Sequence, residues 1–139
     1  MITSTDLALG SRFKLLSDKL YNMVDQIYKE NDISLQSRWF PIIYMLQQKG
    51  AMGITDIANN LGVTHSAISQ LTQKIMKAGI IEDQADSNDN RRRLIVLTED
   101  GWKLCKRITP IWKDILISIQ EIQRRADIDL MDTLSKFEK

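Results

Sequence analysis

The chain has 139 residues, of which 43% are hydrophobic and 27% are charged, and its formal net charge is +1. This length favours one domain with a real core, and the composition excludes a disordered tail. A near-neutral charge means that affinity for a polyanion has to come from local clustering, and a single cysteine excludes an internal disulfide framework. No signal peptide or membrane-spanning run of roughly 18 apolar residues appears, so the sequence predicts a cytoplasmic protein.

Helical periodicity dominates the first third of the chain. A long amphipathic helix is predicted from about Thr5 to Lys29, ending at Asn31-Asp32. Its apolar stripe consists of Leu9, Phe13, Leu16, Leu20, Met23 and Ile27. A second helix is predicted from about Ser37 to Gln48, with Pro41 in the first turn, where its missing N–H costs little.

Two short helices follow, separated by Leu61-Gly62-Val63. Thr55 is predicted to cap the first, which runs to about Asn60, and Thr64 the second, which runs to about Lys77 before Gly79.

The spacing within this pair favours a helix-turn-helix. Ala58 is small enough for close approach of the helices, Gly62 can adopt a positive φ in the turn, and Ile68 can pack between the two helices. The alternative is two core helices joined by a tight turn. The outer face of the second helix favours the first interpretation, because its polar residues are mostly uncharged and suited to reading base edges in a major groove. They are Thr64, His65, Ser66, Ser69, Gln70, Gln73 and Lys74.

A β-hairpin is predicted next, with strands at Ile80 to Ala85 and Arg92 to Leu97 joined by the turn DSNDN. Three consecutive arginines, Arg91, Arg92 and Arg93, lie at its return. They form either a solvated hairpin tip or a basic prong for a polyanion. Because a hairpin directly after a recognition helix is a wing, the basic prong is favoured. Asp89 is predicted to hold the Arg91 guanidinium by a charged hydrogen bond.

The rest of the chain is again predicted to be helical. Thr98-Glu99-Asp100 is a helix start, since acidic residues in a first turn suit the helix dipole. Pro110 should kink this helix, and Ala126-Asp127 should end it. The apolar positions are Leu104, Ile108, Ile111, Ile115, Ile119 and Ile122, followed by Leu130, Leu134 and Phe137 on a short last helix.

Residues 54–101 resemble the MarR family of winged helix-turn-helix regulators. The wing signature of that family is met by Asp86, Asp89, Arg91, Ile95, Leu97 and Thr98, followed by Gly101. The resemblance implies a mainly α fold with a small β-hairpin wing, in which N- and C-terminal helices form a dimerisation region. One domain would cover 1–139, with a DNA-binding lobe at about 35–98 and dimerisation helices at about 5–30 and 99–139.

The resemblance also implies a partner and roles for the site residues. The partner is a pseudo-palindromic operator in double-stranded DNA, bound by a homodimer whose recognition helices enter successive major grooves. Arg91 would be the minor-groove residue and Asp89 its partner, while the recognition helix supplies the base- and phosphate-facing set. The leading hypothesis is therefore a repressor that responds to a small molecule.

A finer likeness involves two aromatic segments. Residues 37–41 and 107–112 are similar to the regulator halves of chains in which a MarR-like domain precedes a GNAT acetyltransferase. Either the likeness concerns the regulator part alone, or the chain is an amino-terminal portion. The alternative function is accordingly a winged-helix dimerisation or regulatory module, supported by the near-neutral charge.

Other chemistry-bearing residues are interpreted more simply. Trp39, Phe40, Trp102 and Trp112 are candidates for lining an effector pocket, although aromatic residues at helical spacing also occur in cores. His65 is predicted to contact DNA, because one histidine and one distant cysteine cannot build a zinc site. Cys105 is predicted to be a buried, inert thiol. No nucleophile–base pair, phosphate loop or metal cluster appears, so neither an enzyme nor a cofactor is predicted.

Overall fold

The computed structural model describes residues 8–139. They form two compact units, one extending to Leu104 and the other over Cys105–Lys139. In chain order the elements are α1 (Leu9–Glu30), a 3-10 turn (Ser37–Trp39), α2 (Phe40–Lys49), α3 (Ile54–Leu61), α4 (His65–Lys77), β1 (Ile81–Ala85), β2 (Arg93–Leu97), α5 (Glu99–Ala126) and α6 (Leu130–Phe137). Within the described residues, no helix is both long and apolar enough to cross a membrane.

The first two helices agree closely with the sequence pattern. The predicted start of α1 at Thr5 lies outside the described residues, and α1 ends before Asn31, followed by Asp32 at a φ of 56°. The helix predicted from Ser37 begins as the 3-10 turn, and Pro41 lies at the start of α2 as expected. Its missing N–H therefore leaves no gap in the helical hydrogen bonding.

The structure ties α1 to the chain that enters α2. Ser37 is 2% exposed, its hydroxyl donates to the Tyr21 carbonyl oxygen at 2.9 Å, and its backbone N–H donates to Asp25 Oδ1 at 2.6 Å. The Arg38 guanidinium lies 4.8 Å from the centre of the Tyr21 ring. These bonds satisfy a buried polar residue and fix where α2 starts.

The core of the first unit receives side chains from α2, from both helices of the helix-turn-helix and from both strands. Most of these core side chains are branched and aliphatic, and burial of each stabilises the fold by about 1.5–3 kcal/mol. The residues at or near complete burial are Ile42, Ile43, Leu46, Ile57, Ile68, Ile75, Ile81 and Ile95.

The two strands pair antiparallel, with Ile81 opposite Leu97 and Ala85 opposite Arg93. Their buried residues face the core at one end, and the other end of the hairpin is exposed. Met52, just before α3, adds a single bridge to β2: its N–H donates to the Ile95 carbonyl at 3.1 Å, and the Ile95 N–H donates back at 2.7 Å. The middle of β2 is therefore anchored to the residue just before the helix-turn-helix.

Residues 98–101 show why α5 begins where it does. The Thr98 hydroxyl accepts a hydrogen bond from the Gly101 N–H at 2.9 Å, as the predicted helix start requires. A Cβ on Gly101 would collide with the carbonyl oxygen of Ile80. The glycine thus allows the first turn of α5 to approach the chain entering β1.

The second unit consists of the rest of α5 and of α6. Pro110 lies inside α5, which continues through it to Ala126. The predicted break is confirmed, because Asp127 has a φ of 52° and the Asp129 carboxylate caps α6 by accepting from the Asp132 N–H at 3.0 Å. No residue of α6 is buried, although its sequence is amphipathic.

Candidate nucleic-acid interface

The turn between α3 and α4 has the geometry that the sequence spacing predicts. Ala58 is buried, Gly62 has a φ of 68°, and the Val63 N–H donates to the Ala58 carbonyl at 3.1 Å. Ile68 is buried as expected. The predicted helix-turn-helix is therefore present, and its turn depends on a backbone conformation that glycine adopts readily.

The two predicted caps have different outcomes. Thr64 is confirmed as the N-cap of α4, since its hydroxyl accepts from the Ala67 N–H at 3.1 Å. The prediction that Thr55 caps α3 is wrong, because α3 begins at Ile54 and its N-cap is Gly53, two residues earlier than predicted. Extended backbone at Gly53 leads directly into the helix, so Thr55 already lies in the first turn with its side chain exposed.

The outer face of α4 consists of polar side chains that have no protein partner. His65, Ser66, Gln70, Gln73 and Lys74 are exposed, and Ser69 is half-buried. Within residues 8–139, none of these side chains makes a hydrogen bond or an ion pair. Their donors and acceptors are therefore available to a molecule outside the chain.

The charge of α4 is one-sided. The helix contains Lys74 and Lys77 in its last turn and no acidic residue, including in its first turn. A helix that faced only water would gain stability from acidic residues at its N-terminus, and their absence leaves this end compatible with an approaching phosphate.

Sequence reasoning did not single out Thr72, the one fully buried polar residue of α4. Its hydroxyl donates to the Ser69 carbonyl at 3.0 Å, which satisfies it without a partner outside the helix. The signal was available, because Thr72 falls between Ile68 and Ile75 at helical spacing. Thr72 thus marks the inner side of α4.

The wing turn is closed by its two aspartates. Asp86 Oδ1 accepts from the Asn88 N–H at 2.9 Å, and Asp89 Oδ1 accepts from the Arg91 N–H at 3.0 Å. The contact predicted for Asp89 differs, because its carboxylate holds the backbone amide of Arg91 and not the guanidinium. In such a turn, an aspartate carboxylate typically accepts a hydrogen bond from the backbone N–H two residues later. This local bond forms without the entropic cost of ordering a long side chain.

The three arginines of the wing have three different environments. The Arg91 side chain makes no hydrogen bond or ion pair within residues 8–139. Arg92 forms an ion pair with Asp56 in α3, and Arg93 forms one with Asp83 across the hairpin at 3.3 Å. Mutual repulsion at this cluster is therefore reduced by two carboxylates, and one cation remains uncommitted at the turn.

A cleft of about 450 Å³ lies between the start of α3 and the return of the wing turn. Backbone and side chains of both signs line it: Gly53, Ile54, Thr55, Asp56, His65, Arg92 and Arg93. Sequence reasoning missed Gly53 and Asp56. No local signal could have found them, since 36 positions separate Asp56 from its arginine partner.

The aromatic residues predicted for an effector pocket have unequal exposure. Trp39 is 7% exposed in the 3-10 turn, and Phe40 stacks on Tyr44 with ring centres 5.2 Å apart. Trp102 is 48% exposed, and Trp112, in the second unit, is partly exposed. Trp39 is thus a core residue of its unit, while Trp102 offers an open apolar surface.

The predicted buried thiol, Cys105, and the predicted DNA contact, His65, differ in exposure. Cys105 is 1% exposed, which confirms the prediction of a buried thiol, and burial raises the pKa of that thiol. His65 lies on the exposed face of α4, beside the cleft. Over the described part of the chain, no three His, Cys, Asp or Glu side chains are grouped so as to hold a metal ion.

Comparison with known proteins gives consistent matches. The sequence model of the MarR family matches residues 35–92. The HTH-type transcriptional regulator FarR of Neisseria gonorrhoeae is 27% identical over 112 residues, which cover 78% of this chain and 77% of FarR.

Solved structures match at lower identity and show a shared fold. MepR of S. aureus, solved as a DNA complex, matches with a TM-score of 0.71 and 23% identity, covering 93% of this chain and 97% of MepR. NadR, solved in complex with 4-hydroxyphenylacetate, matches with a TM-score of 0.67 and 23% identity, covering 99% of this chain and 95% of NadR. The MarR family's sequence pattern therefore matches this chain from just before the 3-10 turn to the wing turn, and nearly the whole chain shares the fold of MepR and NadR.

Proposed function

We propose that the chain is a homodimeric repressor that binds a pseudo-palindromic site in double-stranded DNA and responds to a small molecule. The observation that carries this proposal is the outer face of α4, where uncharged donors and acceptors without protein partners lie beside a wing that has one uncommitted arginine. Hydroxyls and amides suit base edges, and cations suit phosphates or a narrow minor groove.

Roles follow from side-chain chemistry. Gln70 and Gln73 carry amides that can form paired hydrogen bonds with a base, most favourably with adenine. Lys74 and the free N–H groups at the start of α4 suit phosphates, which position the protein without reading sequence. Arg91 would enter the minor groove beside the recognition helix, because it is the wing cation without an internal partner.

Dimerisation is supported by apolar side chains that the described residues leave exposed. In α1, Phe13, Leu16, Leu20 and Met23 are between 39% and 53% exposed along one stripe. In the second unit the exposed apolar residues are Leu116, Ile117, Ile119, Ile122, Ile128, Met131 and Phe137. Exposed apolar surface on this scale is typical of a protein–protein interface, and a second copy of the chain would cover it.

A small-molecule response is supported more narrowly. NadR, which shares the fold, was solved with an aromatic carboxylic acid bound. Within the first unit, we propose that Phe40 and the exposed Trp102 contribute to an effector site, and an aromatic ligand would suit their surfaces.

Selection from random duplex DNA at physiological salt tests the proposal. The purified protein should enrich a palindrome whose half-sites are about one helical turn apart, roughly 10 base pairs. The variant Gln70→Ala/Gln73→Ala should lose that enrichment while it retains weak, salt-sensitive binding to any duplex. Recovery of unselected sequences by a folded wild-type protein would instead favour the alternative, a module that acts through protein contacts.

A further inference from the structure

The return of the wing turn carries an ion pair that the family signature does not include. The Arg92 guanidinium pairs with the Asp56 carboxylate in the first turn of α3, while within residues 8–139 the Arg91 and Arg93 side chains make no hydrogen bond or ion pair with α3. Both side chains of the pair are about half exposed, at 49% and 48%. The contact therefore lies at the surface of the cleft and joins two elements far apart in sequence.

Gly53 provides the space for this contact. A Cβ at that position would lie 3.1 Å from Arg92 Nη2 and 3.2 Å from Nε, closer than ordinary van der Waals contact. The backbone of Gly53 is extended, with a φ of −75°, so its conformation does not demand glycine. The missing side chain is explained by the guanidinium that lies over it.

In the part of the chain that the structure describes, one backbone link joins β2 to the residues that precede α3. That link consists of the two hydrogen bonds between Met52 and Ile95. Arg92 immediately precedes β2, and Asp56 follows Met52 by four residues. The hydrogen bonds and the ion pair together hold β2 and the end of the wing turn against the residues around the start of α3.

We propose that Arg92 is a positioning residue that braces the wing against α3, and that it does not contact DNA. The proposal rests on the proposed function and changes the role predicted for Arg92 from sequence. Arg92 acts in two ways: it orients the wing so that Arg91 is presented, and it neutralises Asp56, which would otherwise repel a phosphate entering the cleft.

Hydrogen exchange without DNA tests the brace itself. The amides of Met52 and Ile95 report whether β2 is docked against the residues that precede α3. Because a half-exposed ion pair contributes little, Arg92→Gln and Asp56→Asn should each speed exchange at these amides by about two- to fivefold. Arg93→Gln is the matched control, since its partner is within the hairpin, and it should leave both rates unchanged. Unaltered exchange in Arg92→Gln would overturn the brace.

A double-mutant cycle on the selected DNA site tests the role in binding. Arg92→Gln should weaken binding about fivefold in the wild-type background and less than twofold in the Asp56→Asn background, because the carboxylate to be neutralised is then absent. The salt slope should stay the same. If Arg92 contacted a phosphate instead, its loss would be equally severe in both backgrounds and would reduce the slope by about 1.8 per dimer.

The two readouts separate this inference from the proposed function. If the wild-type protein selects no DNA, the proposed function fails, and the exchange rates still decide whether Arg92 braces the wing. If DNA is selected and the cycle shows no coupling between Asp56 and Arg92, the function stands and the positioning role is wrong.

Discussion

The winged lobe and the flanking helices differ in how far their apolar side chains are buried. In the lobe, from about residue 35 to 98, α2, α3, α4 and both strands each contribute aliphatic residues that are buried. In α1 and in the second unit, many apolar residues of the helical stripes stay between a third and two thirds exposed. The lobe therefore stabilises itself, whereas the flanking helices have the composition of a surface that another chain covers.

Removal of a core side chain in the lobe should have the largest effect on stability. Ile75 of α4 is completely buried, so Ile75→Ala should lower the free energy of unfolding by about 2–5 kcal/mol through lost burial and a residual cavity. Urea unfolding measures this. Gln73→Ala on the exposed face of the same helix is the control and should change stability by no more than about 0.5 kcal/mol. Equal losses for the two variants would contradict the assignment of inner and outer faces.

A charge on the flanking stripe should separate the chains without unfolding the lobe. Leu20 is 49% exposed on α1, and a twofold interface would bury two copies of an introduced carboxylate. Leu20→Glu should weaken dimerisation at least about a hundredfold, as measured by sedimentation. Leu15→Glu, on a residue that is 70% exposed and off the stripe, should not. A monomeric wild-type protein would contradict this account of the stripe.

Loss of the uncommitted arginine should weaken DNA binding and its dependence on salt. Arg91→Ala removes one cation from each subunit, so the slope of log affinity against log salt should become shallower by up to about 1.8 per dimer. Fluorescence anisotropy at several salt concentrations measures it. Arg93→Ala is the comparison, and its effect should be smaller, because Arg93 already pairs with Asp83.

Substitution on the recognition helix should change sequence preference and leave the salt slope unaltered. Gln73→Ala should reduce discrimination between the selected site and single-base variants by about 1–3 kcal/mol at one position in each half-site. Competition binding with a panel of duplexes measures this. A uniform loss of affinity across the panel would assign Gln73 to phosphate and not to a base.

The smallest effect concerns Cys105. Burial raises the pKa of its thiol in the folded chain, so the folded state retains the proton at an alkaline pH where the unfolded state has begun to lose it. The resulting stability is present below the ordinary thiol pKa and is lost as the pH rises through the raised value. Cys105→Ala should flatten this alkaline decline, and a thiol reagent should label the native wild-type chain far more slowly than the unfolded one.

Local patterns predicted much of the lobe because its geometry depends on near neighbours. The positive φ at Gly62, the Thr64 cap and the wing strands each follow from residues within a few positions. The prediction of a Thr55 cap is wrong for a related reason. In sequence, a threonine near a helix start resembles a cap, and only the backbone conformation shows that Gly53 is the N-cap.

What escaped prediction depends on contacts between distant segments. The pairing of Arg92 with Asp56 and the close approach of Gly101 to Ile80 join parts of the chain that no spacing rule relates. The sequence predicts a hydrogen bond between Asp89 and the Arg91 guanidinium, whereas the donor in the structure is the backbone amide of Arg91, two residues away. An aspartate within a turn is therefore expected first to accept a hydrogen bond from a nearby backbone amide.

The central claim is that two copies of the lobe, joined through the flanking helices, read one DNA site. The most direct test is the stoichiometry and affinity of the wild-type protein on its selected palindrome and on a duplex that contains one half-site. The account predicts two chains per palindrome and binding to the half-site weaker by roughly a hundredfold or more. One chain bound per duplex, with equal affinity for the half-site and the palindrome, would contradict it.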